Sequence, residues 1–260
     1  MSAELDELKA LTKSLRRRVS MSDATEWEKV SPAAKPTAKV VSPAAKPTAE
    51  VREDSLESRP PRKGTLAELA EGIKACRACP LGATRIQAVP GVGSAKAEVM
   101  FIGEGPGFKE DHTGEPFVGR SGQLLDKIME AIGLSRKTVY IANIVKCHPM
   151  KNPADPESHG NDRPPTPEEM DACRGWLEAQ IRAIKPKVIV TLGAVPAKAL
   201  LGDLTPITKI RGQWRTYDPG GGLAPIKLLP TFHPAALLRN PDLKRDVWDD
   251  MKNLKKELSK

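Results

Sequence analysis

Residues 99–107 read VMFIGEGPG, an apolar run followed by three glycines, a glutamate and a proline. A short apolar run bounded by turn residues is typical of a buried strand, and the glycines permit a tight turn at its carboxyl end. Similar apolar runs occur at 139–145, 188–192 and 227–232. The sequence therefore predicts four buried strands, each of which ends in a loop of distinctive composition.

Segments with helical character separate and follow these runs. They are 66–75 with Thr65 as N-cap, 122–132, 167–184, 194–201 and 243–258. Strands that alternate with helices form parallel sheets covered on both faces. The sequence thus predicts an α/β fold for 64–260: a three-layer α/β/α sandwich around a four-stranded parallel sheet. In such sheets ligands bind beyond the carboxyl ends of the strands.

The first 63 residues have a different character. A helical period is formed by Leu5, Leu8, Leu11 and Leu15, with Lys9, Lys13, Arg16, Arg17 and Arg18 among and after them. This pattern predicts an amphipathic basic helix over 1–19, either packed on the domain or free to dock elsewhere. The nonapeptide VSPAAKPTA occurs at 30–38 and again at 41–49, with no apolar period that could offset the entropy of ordering. We therefore expect 20–63 to be a disordered linker, which makes up most of a disordered N-terminal extension.

The 260-residue chain is basic, with 41 Lys and Arg against 33 Asp and Glu and a net charge of +8. Residues 64–260 carry most of this excess, with 28 basic and 23 acidic side chains. Such a balance favours a polyanionic partner such as nucleic acid. No long apolar segment or secretion signal is evident, so we expect no membrane association and a cytoplasmic, nucleoid-associated location.

Polar and aromatic residues lie at or just beyond the predicted strand ends. Glu104 follows the first run, Asn143 closes the second, His233 follows the last, and Phe117 lies in a glycine-flanked loop. Each has an ordinary structural explanation on its own: a tight turn, a buried asparagine, a structural histidine or a core aromatic. The exits of one sheet share an edge, so the sequence predicts that these side chains line one cleft.

These residues lie in segments that closely resemble the family 4 uracil-DNA glycosylases, the iron-sulfur class of that superfamily. The matching segments are CRACPLG, GEGPGFKED, GEPFVGRSGQLLD, YIANIVKCHP, ITKIRGQW and TFHPAALLRNP. The likeness extends from Cys76 to Asn240. It does not include the N-terminal extension, and the stretch 151–162 looks longer than usual for the family.

The resemblance implies an enzyme that flips uracil out of single- or double-stranded DNA and hydrolyses its N-glycosidic bond. It implies that Asn143 pairs with the uracil edge that differs from cytosine, that Phe117 stacks on the ring, and that His233 donates to a uracil carbonyl. Glu104 would act on water and the cationic sugar. The remaining implied contacts are Gly105 at close backbone approach, Glu110 against the position of the thymine methyl, and Arg239 at a phosphate or the vacated base site.

Four cysteines complete the pattern: Cys76 and Cys79 in a C-x-x-C, then Cys147 and Cys173. By spacing alone, four thiolates suit a zinc ion as well as an iron-sulfur cluster. The resemblance implies a [4Fe-4S] cluster held by all four, with a structural role.

Two other classes of protein remain open: a DNA-binding or polymerase-associated module with little turnover, and an iron-sulfur electron carrier. The combination of Glu104, Asn143 and His233 favours the enzyme. We expect a monomer, with a replication or repair partner bound through the N-terminal helix.

Overall fold

The computed structural model describes residues 64–260. The predicted helix at 1–19 and the predicted linker at 20–63 lie outside the described residues. The helices are α1 Leu66–Ala75, α2 Leu81–Thr84, α3 Phe108–Thr113, α4 Arg120–Ala131, α5 Pro167–Ile184, α6 Ala194–Leu201, α7 Ile207–Ile210, α8 Pro234–Arg239 and α9 Leu243–Leu258. The strands are β1 Val92–Gly93, β2 Val99–Gly103, β3 Tyr140–Asn143, β4 Val188–Leu192, β5 Arg215–Tyr217 and β6 Ile226–Thr231. All helices and strands predicted within 64–260 are present, with boundaries displaced by at most a few residues.

The six strands form one mixed sheet in the order β1-β3-β2-β4-β6-β5. The central strands β3, β2, β4 and β6 are parallel to one another, whereas β1 and β5 pair antiparallel at the two edges. The four predicted strands are therefore present and parallel, but the sheet has six strands and is mixed, so the prediction of a four-stranded parallel sheet is wrong in that detail. It missed two edge strands that have only two and three residues, too few for a hydrophobic period to be recognised.

Helices cover both faces of the sheet, as expected for an α/β fold. Alternate residues of β2 point to opposite faces: Met100 and Ile102 join one core with α1 and α5, and Phe101 joins another with α4 and α9. Every residue of β2 and β4 is buried. This two-sided burial explains why the central strands have continuous apolar runs rather than alternating ones.

Local sequence determines where the two long helices of one face begin. Thr65 and Glu68 form a capping box at the start of α1, and Thr166 and Glu169 form another at α5, with Pro167 in the first turn. Each box satisfies backbone N–H groups that the first turn leaves unpaired. The cap of α5 thereby sets the position of Cys173, two turns along the helix.

Because β2, β3 and β6 are parallel, their carboxyl ends lie along one edge of the sheet. The loops that leave this edge begin at Glu104, Ile144 and Phe232. The predicted site residues are therefore delivered by the topology of the sheet. No helix within 64–260 is long and apolar enough to cross a membrane.

Candidate active site and metal centre

Asn143 is the last residue of β3 and lies directly opposite Gly103 of β2. It is 2% exposed, and its Oδ1 atom has no hydrogen-bond partner. A Cβ atom on Gly103 would come within 2.4 Å of Asn143 Oδ1 and 2.5 Å of Phe117 Cζ. Glycine at 103 thus lets the amide and the aromatic ring converge over the strand end. A buried acceptor without a partner costs free energy, so this arrangement is suited to a ligand that donates a hydrogen bond.

Phe117 is held in an uncommon backbone conformation. Its φ angle is 57°, in the left-handed region that bulky residues rarely adopt. Arg136 stabilises this turn by donating to the carbonyls of Pro116 and Phe117. Gly122 is also required, because a Cβ there would lie 1.6 Å from the Phe117 carbonyl oxygen. Strain that the surroundings maintain is typical of functional sites.

Glu110 anchors the same loop from the opposite side. It is 9% exposed, and its Oε1 atom accepts hydrogen bonds of 3.0 Å from the Val118 and Gly119 amides. Val118 and Gly119 directly follow Phe117 in the chain, so Glu110 fixes the position of the Phe117 ring. Sequence reasoning missed this contact, and the implied role of Glu110 at the thymine methyl position stays a prediction.

The ring of His233 lies beside Phe117, with ring centroids 5.6 Å apart. Its Nδ1 atom accepts a hydrogen bond of 3.1 Å from the Ala235 amide and so caps α8. Burial, aided by the positive charge of Arg239, lowers the pKa of His233 to about 4. The imidazole is therefore neutral at physiological pH. With Nδ1 used as an acceptor, its proton is on Nε2, which can donate to a ligand.

Glu104 follows β2 and is partly buried, and burial raises the pKa of its carboxyl group. Its carbonyl accepts from the Val145 amide at 3.2 Å, which extends the β2–β3 pairing beyond the sheet. Gly105 is packed closely, since a Cβ there would lie 2.9 Å from Val145 Cγ2. Arg239, by contrast, is exposed at the end of α8. The structure therefore brings Phe117 together with both Asn143 and His233, whereas Arg239 lies at the surface.

The four cysteines line a single small cavity, together with Arg85 and Lys146. Cys76 caps the end of α1, Cys79 follows it, Cys147 lies beyond β3, and Cys173 is on α5. Three separate parts of the chain thus meet at this point. No disulfide joins these cysteines.

Two cations face the sulfur atoms. Arg85 Nη1 donates to Cys147 Sγ at 2.9 Å, and the side chain of Lys146 is 1% exposed. Burial raises the pKa of Cys147 despite the nearby Arg85, and raises that of Cys173 to about 12. Thiolates in this cavity therefore need a metal as well as these cations. Sequence reasoning missed both cations, because neither lies in a ligand motif.

The four sulfur donors line one cavity. Within 64–260, no three His, Cys, Asp or Glu side chains are grouped so that they could hold one metal ion. A zinc ion requires its sulfur ligands at about 2.3 Å from one centre. The cavity therefore has the donors of a metal centre without the geometry of a one-ion site.

A second buried network secures the long stretch 151–162. His148 Nε2 lies 2.7 Å from Asp162 Oδ1, and its Nδ1 lies 3.5 Å from Asp111 Oδ2. Burial alone would lower the pKa of His148, but the two carboxylates raise it to about 9. A bridge between Met150 and Asp162 closes the base of the stretch, so its added residues form an outward loop.

Comparisons with known proteins identify the family of this chain. Residues 90–252 match the family model of the uracil DNA glycosylase superfamily. The type-4 uracil-DNA glycosylase of Thermotoga maritima is 42% identical over 202 residues, which cover 76% of this chain and 97% of the relative. Type-4 enzymes of Archaeoglobus fulgidus and Saccharolobus solfataricus are 39% and 40% identical, over 73% and 74% of this chain and 92% and 85% of their own lengths. The chain therefore belongs to the uracil-DNA glycosylase superfamily and, within it, to the type-4 uracil-DNA glycosylases.

Proposed function

We propose how this chain carries out the reaction of its family, the hydrolytic release of uracil from DNA. One observation carries the proposal: the buried, unpartnered Oδ1 atom of Asn143 beside the Phe117 ring. The pocket thus offers an acceptor next to an aromatic face. Those are the two contacts that a flipped pyrimidine with an N–H group requires.

Asn143 selects uracil over cytosine by matching donors to acceptors. Uracil presents N3–H and the O4 carbonyl, which pair with Oδ1 and with the amide NH₂ of Asn143. Cytosine presents an unprotonated N3 and an amino group, so both contacts would be mismatched. A buried mismatch of this kind is worth about 10⁴–10⁵ in specificity.

Phe117 supplies the stacking surface, and Glu110 holds that surface in place. The ring is 5% exposed and its loop is bonded on both sides, so it loses little conformational entropy when a base binds. We propose that Glu110 excludes the thymine methyl group by fixing the position of this loop.

In the chemical step, the bond between uracil N1 and the sugar C1′ breaks, and its electron pair moves onto the base. The neutral imidazole of His233 donates its Nε2–H to the uracil O2, where the negative charge develops. Glu104 accepts a proton from the water whose oxygen bonds to C1′, and its negative charge offsets the cationic character of the sugar. The uracil anion takes up a proton from the solvent, and the products are free uracil and an abasic site.

DNA binding uses the basic surface and the loop after His233. Gly105 permits a close approach of the backbone, and the exposed Arg239 contacts a phosphate or the space that the base leaves. We propose that a monomer acts on single- or double-stranded DNA in the cytoplasm, associated with the nucleoid. We further propose that residues 1–19 bind a replication or repair partner.

We assign a [4Fe-4S] cluster to the cavity lined by Cys76, Cys79, Cys147 and Cys173. The four cysteines line this cavity together with Arg85 and Lys146, and four thiolates can hold such a cluster. The family resemblance supports the cluster over zinc. When bound, the cluster would join α1, the β3 exit and α5 as a structural cross-link. It takes no part in breaking the glycosidic bond.

The test uses single- and double-stranded oligonucleotides that contain one uracil, followed by alkaline cleavage of abasic sites. We expect release of uracil and strand breaks at that position only. DNA binding without breaks would instead indicate the module with little turnover. Iron and sulfide analysis of the same preparation tests the cluster, and stoichiometric zinc would exclude it.

A further inference from the structure

We propose that Lys146 is a positioning residue that links the cysteine centre to the uracil-recognising Asn143. The inference rests on the proposed function, since it assumes that Asn143 reads the base and that the cysteines hold a cluster. It gives the metal centre a role beyond a cross-link, because the centre then influences base recognition.

Lys146 contacts both places at once. Its Nζ atom donates a hydrogen bond of 2.8 Å to the carbonyl oxygen of Asn143. Its side chain also lines the cavity that contains all four cysteines. The next residue in the chain is Cys147, so the segment 143–147 runs directly from the recognition residue to a cysteine of the centre.

The backbone of this segment is fixed along its length. The Ile144 amide donates to the Gly103 carbonyl at 2.9 Å, and the Val89 amide donates to the Lys146 carbonyl at 2.8 Å. The bond from Nζ to the Asn143 carbonyl closes the turn between these anchors. The orientation of Asn143 therefore depends on where the cavity holds the Lys146 side chain.

Packing alone does not account for a lysine here. Burying an amino group costs several kcal/mol, which an apolar side chain of similar size would avoid. The side chain of Lys146 lines the same cavity as the sulfur atoms of Cys147 and Cys173. Lysine thus satisfies two requirements that no apolar residue meets: a donor for the Asn143 carbonyl and a positive charge beside an anionic centre.

The experiment compares purified, cluster-containing Lys146→Met and Lys146→Gln with wild type. Methionine removes the donor and the charge, and glutamine keeps an N–H donor without the charge. Lys187→Met is the matched control, because Lys187 is an exposed lysine paired only with Glu98 among the ion pairs of the described residues. The readouts are iron content, the cluster reduction potential, inhibition by free uracil, and single-turnover rates on uracil and cytosine substrates.

For Lys146→Met we expect full iron content and a weakening of uracil inhibition by roughly tenfold, as the loss of a buried hydrogen bond predicts. The uracil-to-cytosine rate ratio should fall with it. Removing a positive charge near the cluster should also make its reduction potential more negative. Lys146→Gln should restore uracil inhibition to within roughly threefold of wild type while leaving the potential lowered. The control should match wild type in every readout.

Several outcomes would overturn the inference. Wild-type uracil inhibition in Lys146→Met would remove the link to Asn143, and an unchanged potential would remove the link to the centre. Loss of iron in both variants would show a merely structural lysine. If Lys146→Met does not fold, the test rests on Lys146→Gln alone. A change in both uracil inhibition and reduction potential, or in neither, then rejects the proposal. If wild type does not release uracil, the proposed function is rejected instead. If wild type contains zinc, the assignment of an iron-sulfur cluster is rejected.

Discussion

The proposed base pocket is formed by Asn143, Phe117 and His233. Its Asn143 lies only four residues before Cys147 of the cysteine cavity, yet the two places are built in opposite ways. The pocket is held by protein contacts alone: Glu110 and Arg136 fix the Phe117 loop, and the Ala235 amide fixes the His233 tautomer. The cavity instead gathers the thiols of Cys147 and Cys173, whose pKa values burial raises. The buried Lys146 and the partly buried Arg85 lie beside them. The difference teaches that contacts within the protein fix the Phe117 loop and the His233 ring, whereas we propose that the cavity is stabilised by a metal centre.

The largest expected effect is on the cavity. Cys147→Ser should lose the metal and unfold at a much lower temperature, because a metal centre contributes its binding free energy to folding. Thermal melting and metal analysis measure both quantities. Ala78→Ser is the control, since Ala78 lines the same cavity without a thiol. If Cys147→Ser keeps its full metal content and its melting temperature, the cavity does not depend on a metal centre held by Cys147.

A change in the pocket should affect the chemistry and spare the fold. His233→Ala should lower the single-turnover rate by about 10²–10³, the usual effect of removing one donor to a developing negative charge. Melting should change far less than in Cys147→Ser, and DNA affinity should be retained. His159→Ala provides the control, because this histidine stacks on Phe108 in the long loop. A near-normal rate in His233→Ala would remove its assignment.

Asn143→Asp should change the selectivity for uracil over cytosine more than it changes the rate of uracil release. A carboxylate can accept from the cytosine amino group but no longer donates to the uracil O4, so discrimination should relax. The measurement is the ratio of single-turnover rates on matched oligonucleotides with uracil or cytosine at one position. A ratio equal to that of wild type would show that Asn143 does not read the base.

The pH profile of the pocket should report Glu104 and not His233. Glu104 acts when ionised and its pKa is raised, so the rate should fall on acidification with a midpoint above the ordinary 4.5. His233, with a pKa of about 4, stays neutral across that range. Single-turnover rates from pH 8 downward measure the profile, and Glu104→Gln should remove the acid limb. If the rate of Glu104→Gln still falls at acidic pH, another group causes that fall.

The smallest effect should come from deleting residues 1–63. The deletion leaves the Thr65–Glu68 capping box and every matched motif in place, so excision on short oligonucleotides should stay close to that of the full chain. Capture of long DNA at low salt should weaken, since Lys9, Lys13 and the arginines at 16–18 add phosphate contacts. Melting and excision rates at low and high salt test this. A lower melting temperature would indicate that the leucines of 1–19 pack on the domain.

The sequence by itself determined the central architecture of this protein. The apolar runs of β2, β4 and β6, the helices between them and both capping boxes depend on neighbouring residues, so local patterns are sufficient to predict them. The location of Glu104, Asn143 and His233 at strand exits was also predictable, because parallel strands deliver their carboxyl ends to one edge. Their roles stay predictions. The spacing of the four cysteines indicated a set of metal ligands, and the family resemblance added the [4Fe-4S] cluster.

Only the tertiary structure decided how these parts became a site. The left-handed Phe117, the Glu110 anchor and the edge strands depend on contacts that no local period encodes. Arg85 bonds to a cysteine 62 residues away, and Lys146 reaches the Asn143 carbonyl only because the β3 exit turns back on itself. Such contacts arise from packing of distant segments, and their energies depend on burial. A sequence pattern reports neither the distance nor the burial, so the residues that hold the site in place became visible only in the folded chain.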